Sequence, residues 1–537
     1  MLKGFVERTL PDWSVKVHDL NLDIHERIFS AVARGPIANS SIEGPLKEIA
    51  LSRAADVFRG KNDQEFYTRP DRYTVYGNLF LELIDQQTLD FTAAVKSAFL
   101  SEERMPPLIE EYAEIILKEN PEAIGVSLCF SQQLWVALCL AKVLKRRTKA
   151  KIIFGGAHFT AEIDQFMDRF ANVIDYIVEG EGEMALVKLL KGEDPASIPG
   201  VYFMSDMVHS STPKFEPKID IFGHPDFSDL DLRAYFSPEP VLPVLTSRGC
   251  YWRKCTFCVH YLSSGFSYRQ HTVAHIVEQL QGYVKMGIRH FSFIDEMISP
   301  HAFKDLADGI LKAGLDIHYY ALAKPVKQFD RQLLEKIYAS GCRYILWGME
   351  SANERVLGLI QKGTETENVE LVFQTAQKVG IHNHVYIICG FPTETKEEWM
   401  ETLRFLQKNG GAISSIHRSP FSLEKDSPIY KAPEKFSITK VWSLGDTITD
   451  GRFRFECSSG MTRDEMNDIF MKSMPFLRAF NVYSPRLGNF RDHALLLYAK
   501  HGRALDPSKR VLPPLPFEYA EAEVLISSLL QQDSLSL

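Results

Sequence analysis

Apolar runs alternate with amphipathic stretches over two long parts of the chain. In the first part, 116–205, IGVSLCF (124–130) is a continuous apolar run, as expected for a strand buried on both faces of a parallel sheet. KIIFGG (151–156) and YIVEGEGE (176–183) begin with apolar residues and end in small or charged residues. The helical periodicity of the segments between them, for example over 134–145, predicts a doubly wound, Rossmann-like sheet.

The same alternation restarts near residue 240 and continues for longer. Strands are predicted at 241–248, 290–296, 316–323, 343–348, 383–389 and 413–419, with helices between them. Six βα units predict a partial (β/α)6 TIM-like barrel, because about eight units are needed to close one. Catalytic groups are then expected at the carboxyl ends of its strands.

The remaining segments show weaker patterns. Residues 15–17 suggest a short strand, and residues 31–115 have mostly helical periodicity. The last part of the chain is mixed, with helices expected around 463–479 and 518–531.

The chain therefore reads as an α/β protein with two sheet-forming domains. We assign 1–205 to the Rossmann-like domain, 206–239 to a linker, 240–425 to the partial barrel and 426–537 to a smaller C-terminal region. Ligands of open parallel sheets bind beyond the carboxyl ends of the strands. In the first domain these ends carry the candidate binding residues Ser127, Gly155, Gly156, Gly180, Glu181 and Gly182.

Composition narrows the class of protein. The chain has 537 residues, 45% of them hydrophobic and 24% charged, which is ordinary for a globular protein. The net charge of −8 argues against a nucleic-acid partner. No apolar run approaches the ~20 residues needed to span a membrane, and the N-terminus lacks a secretory pattern. We expect a cytoplasmic protein with reduced cysteines.

Three of the eight cysteines are clustered after the first predicted barrel strand. Cys250, Cys255 and Cys258 have the spacing C-x4-C-x2-C, which favours metal binding. Zinc requires four ligands, and His260 is the nearby candidate for the fourth. A [4Fe–4S] cluster held by three thiolates would leave one iron open to a substrate or cofactor. The end of a barrel strand favours this exposed cluster over a buried zinc site.

These residues resemble the radical S-adenosylmethionine (SAM) enzymes, in which three clustered cysteines follow the first strand of a partial βα barrel. The family's usual spacing is C-x3-C-x2-C, so this chain has one extra residue between Cys250 and Cys255. The resemblance implies a [4Fe–4S] cluster whose open iron binds SAM. Reductive cleavage of SAM then produces a 5′-deoxyadenosyl radical.

The resemblance extends to later strand ends. It implies that Phe257 lies near the adenine of SAM, and that Asp295 and Glu296 contact its amino group. Further SAM contacts are implied at Glu350, Ser351, Cys389, Gly390 and Phe391. Each segment also has a plainer interpretation, since acidic residues cap helices and Gly-Phe-Pro forms turns.

The first domain resembles the cobalamin-binding domain that precedes the barrel in class B radical SAM enzymes. The matching segments are 17–21, 123–130, 151–158, 178–183 and 198–203. The resemblance implies cobalamin near the six strand-end residues named above, although the sequence pattern lacks the first strand of such a domain. The alternative is a relic domain that only packs against the barrel.

The leading hypothesis is a cobalamin-dependent radical SAM enzyme that methylates an unactivated carbon of a small-molecule or peptide substrate. An electron donor such as flavodoxin or ferredoxin would supply the reducing electron. One alternative keeps the radical and performs a rearrangement or cyclisation. Another is a non-catalytic metal-binding scaffold or sensor. Metal content and 5′-deoxyadenosine formation separate these hypotheses.

Overall fold

The computed structural model describes residues 1–32, 63–101, 104–265, 267–446, 448–449, 452–481 and 490–515. The α-helices of this part are α1 Leu2–Thr9, α2 Leu20–Val32, α3 Asp63–Thr68, α4 Pro70–Leu100, α5 Pro107–Leu117, α6 Leu134–Arg147, α7 Ile163–Phe170, α8 Gly182–Leu190, α9 Val273–Lys285, α10 Pro300–Lys312, α11 Arg331–Ala339, α12 Glu354–Ile360, α13 Thr366–Val379, α14 Lys396–Lys408, α15 Pro428–Lys431, α16 Arg463–Arg478 and α17 Arg491–His501.

The β-strands are β1 Ala123–Ser127, β2 Lys151–Gly155, β3 Tyr176–Val178, β4 Val201–Met204, β5 Val208–His209, β6 Val241–Val244, β7 Ser247–Arg248, β8 Arg269–Gln270, β9 His290–Phe293, β10 His318–Ala323, β11 Cys342–Glu350, β12 His382–Cys389, β13 Ser415–Pro420, β14 Leu423–Glu424, β15 Ile438–Ser443 and β16 Arg452–Cys457. None of the described helices is long and apolar enough to cross a membrane.

The first sheet has the strand order β1-β2-β3-β4-β5. Strands β1, β2 and β3 are parallel, whereas β4 and β5 add an antiparallel hairpin. The α6 helix packs against both α4 and α5 to cover this sheet. The predicted doubly wound arrangement is confirmed for the parallel strands. Within the described residues β1 forms one edge of the sheet.

The second sheet is the partial barrel. Its six strands run in the order β6-β9-β10-β11-β12-β13, and every neighbouring pair is parallel. Each of the six predicted strands is present, so the partial (β/α)6 barrel is confirmed. The carboxyl ends of all six strands meet at one edge of the sheet, where the site must lie.

Side chains alternate between the two faces of the barrel strands. On β10, Tyr319 and Ala321 are buried in the core beneath the outer helices. Tyr320 on the same strand faces the other way and packs with Tyr344 and with residues of α17. The α17 helix therefore covers the inner face at β9, β10 and β11, while α9, α10, α11, α13 and α14 cover the outer face.

The barrel helices begin where the sequence provides a capping side chain. In each case a side-chain oxygen accepts a hydrogen bond from the backbone N–H three residues later, which satisfies a donor that the first helical turn leaves free. These capping residues are Thr272, Ser299, Asp330, Asn353 and Thr395. Turn chemistry thus sets the point at which each strand-to-helix loop ends.

A three-stranded antiparallel sheet, ordered β14-β16-β15, follows the barrel. The expected helix at 463–479 is confirmed as α16, whereas the expected helix at 518–531 lies outside the described residues. The strand expected at 15–17 is wrong. These residues lie without strand partners, and the Val17 N–H instead donates to the Asp229 carboxylate at 2.9 Å.

The buried side-chain amide of Asn383 links two strands, a helix and a loop of the barrel. Asn383 on β12 accepts from the Trp347 indole N–H at 2.7 Å and donates to the carbonyl oxygens of Phe373 and Ala412 at 2.8 and 2.7 Å. Asn383 and Trp347 are fully buried. Their hydrogen bonds connect β11, β12 and α13 to the loop before β13.

We expect Asn383→Leu to lower the free energy of unfolding of the barrel by about 3 kcal/mol, because three buried polar groups lose their partner. The measurement is urea denaturation followed by tryptophan fluorescence. Asn368→Leu, at a half-buried position of α13 where the amide bonds only the exposed Glu365, is the matched control and should change stability by less than about 0.5 kcal/mol. Equal effects of the two substitutions would contradict this role for Asn383.

Candidate active site

The cysteine loop, residues 249–259, begins directly after β7. Gly249 has a positive φ of 81°, and a side chain there would lie 3.0 Å from the Ser267 carbonyl oxygen, so the turn into the loop requires glycine. The loop is anchored to the end of α12 by Thr256. Its N–H donates to the Ile360 carbonyl at 2.9 Å, and its hydroxyl donates to the Leu359 carbonyl at 2.9 Å.

The loop brings the three predicted cysteines together. Cys250 and Cys255 are buried and Cys258 is partly buried, and each of the three thiols lies within electrostatic range of the others. Burial raises the pKa of Cys255, and it raises the pKa of Cys258 to about 12. Deprotonation of these thiols therefore requires a compensating positive charge, which a bound metal supplies.

Two buried lysines provide further positive charge beside the thiols. Lys324 follows β10, and its Nζ lies 3.0 Å from the centre of the Trp252 ring. Burial and the neighbouring Lys362 lower the pKa of Lys324 to about 8. Burial also opposes the charge of Lys362, but Glu350 and Cys255 outweigh it and raise the pKa of that lysine.

The two acidic residues after β9 have different environments. Asp295 is fully buried, and its carboxylate accepts hydrogen bonds from the N–H and hydroxyl of Thr246 at 3.1 and 2.8 Å and from the hydroxyl of Ser247 at 2.5 Å. Burial raises its pKa. Asp295 thus fixes the turn between β6 and β7. Glu296 is partly exposed and lies within electrostatic range of Cys258, so it is the more accessible of the two acidic residues.

The imidazole of His260 does not complete a zinc site with the three thiols. Its side chain is 72% exposed, and Nδ1 lies 3.8 Å from a carboxylate oxygen of Glu296. The backbone of His260, rather than its ring, hydrogen-bonds the Cys258 thiol.

Glu350 and Ser351 end the central strand β11. Glu350 has a positive φ of 69° and follows a β-bulge, which directs its carboxylate to Lys362 Nζ at 2.7 Å. Ser351 is buried; its hydroxyl accepts from the Asn353 N–H at 3.1 Å and lies 3.3 Å from the Thr402 hydroxyl. Glu350 therefore belongs to the charged group beside the cysteines, whereas the Ser351 hydroxyl hydrogen-bonds the backbone just before α12.

The residues predicted to surround adenine belong to two different apolar clusters. Phe257 packs against the cluster that contains Phe391, and Cys389 is buried at the end of β12. Gly390 has a positive φ of 79°, and its N–H donates to the Glu394 carboxylate at 2.6 Å. The prediction of an adenine site is compatible with this arrangement of an aromatic ring and a tight backbone turn.

In the first domain, Ser127, Gly155 and Gly156 come together at one end of the sheet. Ser127 pairs with Gly155 across β1 and β2, and a side chain at Gly156 would lie 2.3 Å from the Leu128 carbonyl oxygen. Gly125 and Ser127 are exposed on the same face of β1, and a Cβ atom at Gly125 would meet none of the described residues within 4 Å. This open, glycine-lined face fits a large flat ligand such as cobalamin.

The residues of the loop after β3 make contacts within the protein and do not line an open face. Glu181 pairs with Arg248 at 3.1 Å and with Arg269 at 2.6 Å. Side chains at Gly180 and Gly182 would approach Phe215 at 3.0 Å and Leu2 at 3.4 Å, so neighbouring segments cover both glycines. A direct contact between the Glu181 carboxylate and cobalamin would require the loss of two buried ion pairs.

Sequence reasoning missed the charged residues that surround the cysteine loop. Lys324 stands directly after a barrel strand, which is the position where functional residues are expected. Lys362 lies in the loop between α12 and α13, where no strand end marked it. The two arginines, Arg248 and Arg269, gave no sequence signal because their partners lie 65 to 88 residues away.

A six-stranded parallel barrel sheet with three thiols after its first strand defines the radical SAM type of barrel. Comparison with family models agrees. Residues 244–406 match the Radical SAM superfamily and residues 89–190 match the B12 binding domain. The chain therefore contains a B12-binding domain followed by a radical SAM domain, as its sequence predicted.

Several known proteins are similar to the chain. An uncharacterized methyltransferase of Pyrococcus horikoshii is 31% identical over 310 residues, which are 56% of this chain and 66% of the relative. The similarity to this relative and to four other curated proteins covers between half and three quarters of each relative's own length.

Two solved structures share the fold. The radical SAM methyltransferase TsrM from Kitasatospora setae, with cobalamin and a [4Fe–4S] cluster bound, has a TM-score of 0.53 and 19% identity over 66% of this chain and 78% of that chain. The cobalamin-dependent SAM radical enzyme OxsB has a TM-score of 0.57 and 19% identity over 79% and 69% of the two chains.

Burial raises the pKa of Glu394 to about 8, so its carboxyl is protonated at neutral pH. The unfolded chain releases this proton near pH 4.5, and stability is therefore lost as the pH rises from about 4.5 to about 8. We expect Glu394→Gln to raise stability by up to about 3 kcal/mol at pH 7 and to have little effect at pH 4.5. Thermal unfolding between these pH values is the measurement.

Glu397→Gln, at an exposed position of α14, is the control and should leave the pH dependence of unfolding unchanged. A pH-independent effect of Glu394→Gln would show that the Glu394 carboxyl titrates normally.

Proposed function

We propose that the protein is a cobalamin-dependent radical SAM methyltransferase. The observation that carries the proposal is the convergence of Cys250, Cys255 and Cys258 at the carboxyl edge of the barrel sheet, beside two buried lysines. Three thiolates fit a [4Fe–4S] cluster with one open iron. A structural zinc site would require a fourth protein ligand.

Different residues around the thiols would bind different parts of SAM. Glu296 is placed to pair with the SAM amino group, because it is the acidic side chain near Cys258 whose carboxylate is partly exposed. Phe257 and the backbone of 389–391 would enclose the adenine. Asp295 positions these elements by fixing the turn that precedes the cysteine loop.

When bound, the cluster supplies the electron that cleaves SAM, and cobalamin carries the methyl group. The open face at Gly125 and Ser127 would hold cobalamin next to the barrel. An external reductant such as flavodoxin or ferredoxin would provide the electron.

The side chains on the inner face of the barrel favour a polar substrate. His384, Tyr386 and His417 lie on neighbouring strands beside Arg491, and the two histidine rings lie 5.7 Å and 5.2 Å from tyrosine rings. Such a wall offers hydrogen bonds as well as aromatic faces. It suits a small-molecule or peptide substrate that has polar groups near the carbon to be methylated.

The first test uses anaerobically purified full-length protein reconstituted with iron and sulfide. SAM, cobalamin and a strong reductant are added, and 5′-deoxyadenosine and S-adenosylhomocysteine are quantified by mass spectrometry. We expect both products, and we expect Cys258→Ala to abolish 5′-deoxyadenosine because one ligand of the cluster is lost. Cys139→Ala, at a cysteine on α6 of the first domain, should keep full activity.

The products separate the competing functions. 5′-Deoxyadenosine without S-adenosylhomocysteine would favour radical rearrangement or cyclisation over methylation. Zinc in place of about four iron atoms per chain would overturn the radical SAM proposal and favour a metal-binding scaffold.

Cobalamin binding has its own test. We expect Gly125→Leu to weaken cobalamin binding, because the new side chain would occupy the open face of β1. Gly282→Leu, on α9 and likewise with nothing within 4 Å of its Cβ position, is the matched control and should bind normally. Equilibrium dialysis with hydroxocobalamin measures both. Equal affinities would place cobalamin elsewhere.

A further inference from the structure

A second group of metal-binding side chains lies outside the cysteine loop. Asp220 and His224 belong to the segment 219–224, which precedes the barrel. His271 follows β8, and His275 lies in the first turn of α9. The spacing H-x3-H places the two later histidines one helical turn apart.

Three of the four side chains bring their ligand atoms together, and the fourth, His224, packs against His275. One ligand atom from each of Asp220, His271 and His275 lies within 4.8 Å of the other two. The rings of His271 and His275 are parallel, with centroids 4.6 Å apart, and the His224 ring lies 4.3 Å from that of His275. A positive φ of 69° at Gly223 turns the chain between Asp220 and His224.

Two ring nitrogens of this group have no protein partner. Nε2 of His224 and Nε2 of His275 are both buried from solvent and accept or donate no hydrogen bond within the described residues. A buried, unpaired imidazole nitrogen is costly. Two such nitrogens, on adjacent rings beside a carboxylate, indicate that these groups share a partner that accepts their lone pairs.

We propose that Asp220, His224, His271 and His275 form a structural zinc site. Three imidazoles and one carboxylate are a complete tetrahedral ligand set for Zn²⁺. No ligand position remains for water, which distinguishes a structural site from a catalytic one. Asp220 Oδ1 and His271 Nδ1 lie 2.7 Å apart and share a proton, so binding of the ion would displace that proton to solvent.

The neighbouring groups orient these ligands. The Thr272 hydroxyl donates to Asp220 Oδ2 at 2.7 Å, which leaves Oδ1 facing His271. His224 hydrogen-bonds the backbone of His275, so its Nε2 remains available. Glu278 and Arg8 also lie within electrostatic range of His224, and their charges offset each other. Hydrogen bonds of this kind are typical of groups that orient metal ligands.

The site would fasten the segment before the barrel to the first barrel helix. Asp220 already caps α9 through Thr272, and zinc would add four coordinate bonds between α9, its preceding turn and the segment 219–224. This inference does not depend on the reaction that the cysteine loop supports.

The test uses the full-length chain with its cluster reconstituted, so that the three cysteines are occupied. Zinc is added in the presence of a competing chelating dye, and bound zinc and iron are counted by mass spectrometry. We expect about one zinc per chain beyond the iron. X-ray absorption at the zinc edge should show nitrogen and oxygen ligands at about 2.0 Å and no sulfur at about 2.3 Å.

Variants locate the ion. His224→Ala and His275→Ala should each lose the bound zinc and keep the iron. The triple alanine variant of Cys250, Cys255 and Cys258 should lose the iron and keep the zinc. His318→Ala is the matched control, because His318 also stacks on another histidine, His290, at 5.4 Å; it should keep both metals.

Failure of the wild-type chain to retain zinc against the dye would overturn the proposal. Sulfur ligands in the absorption spectrum, or zinc that survives both histidine substitutions, would likewise overturn it. The wild-type spectrum decides the matter even where a histidine variant does not fold, and none of these readouts requires enzymatic activity.

Discussion

The relation between the two domains depends on a buried network of two arginines and two glutamates. Arg248 pairs with Glu181 and Glu183, and Arg269 pairs with Glu181, with all four side chains at most 8% exposed. Removal of one member would leave a buried charge unpaired, at a cost of about 3–5 kcal/mol. Because Arg248 is two residues from Cys250, the network fixes the loop after β3 against the start of the cysteine loop.

Other segments converge on the same arginines. The Arg248 guanidinium lies over the Phe222 ring at 4.7 Å, and Phe222 in turn meets Phe5 of α1 edge-on at 5.3 Å. Arg269 also donates to the carbonyl oxygens of Glu216 and Ser264. The segment that carries Asp220 is therefore held on one side by this network and on the other by α9. A zinc ion there would reinforce a junction that charge and aromatic packing already define.

The parts of this protein that sequence patterns predicted are those that depend on local periodicity. The six barrel strands alternate regularly with amphipathic helices, and the cysteines form a compact motif, so both could be recognised without coordinates. The isolated Val15 to Val17 pattern failed because an aspartate from a distant segment takes the Val17 N–H. Glu350 and Lys362 could be seen only as separate residues, since a β-bulge and a helix bring them to 2.7 Å.

The electrostatics of the site explain why buried lysines are tolerated beside the thiols. Burial favours the uncharged forms of Lys324 and of the cysteines, whereas the attraction between ammonium and thiolate favours the charged forms of both. A cluster with three thiolate ligands places its negative charge beside both ammonium groups. Lys362 is already balanced by Glu350, so Lys324, which faces the Trp252 ring, is the cation that responds to that charge. The barrel thus offsets the charge of the group that its cysteines are placed to bind.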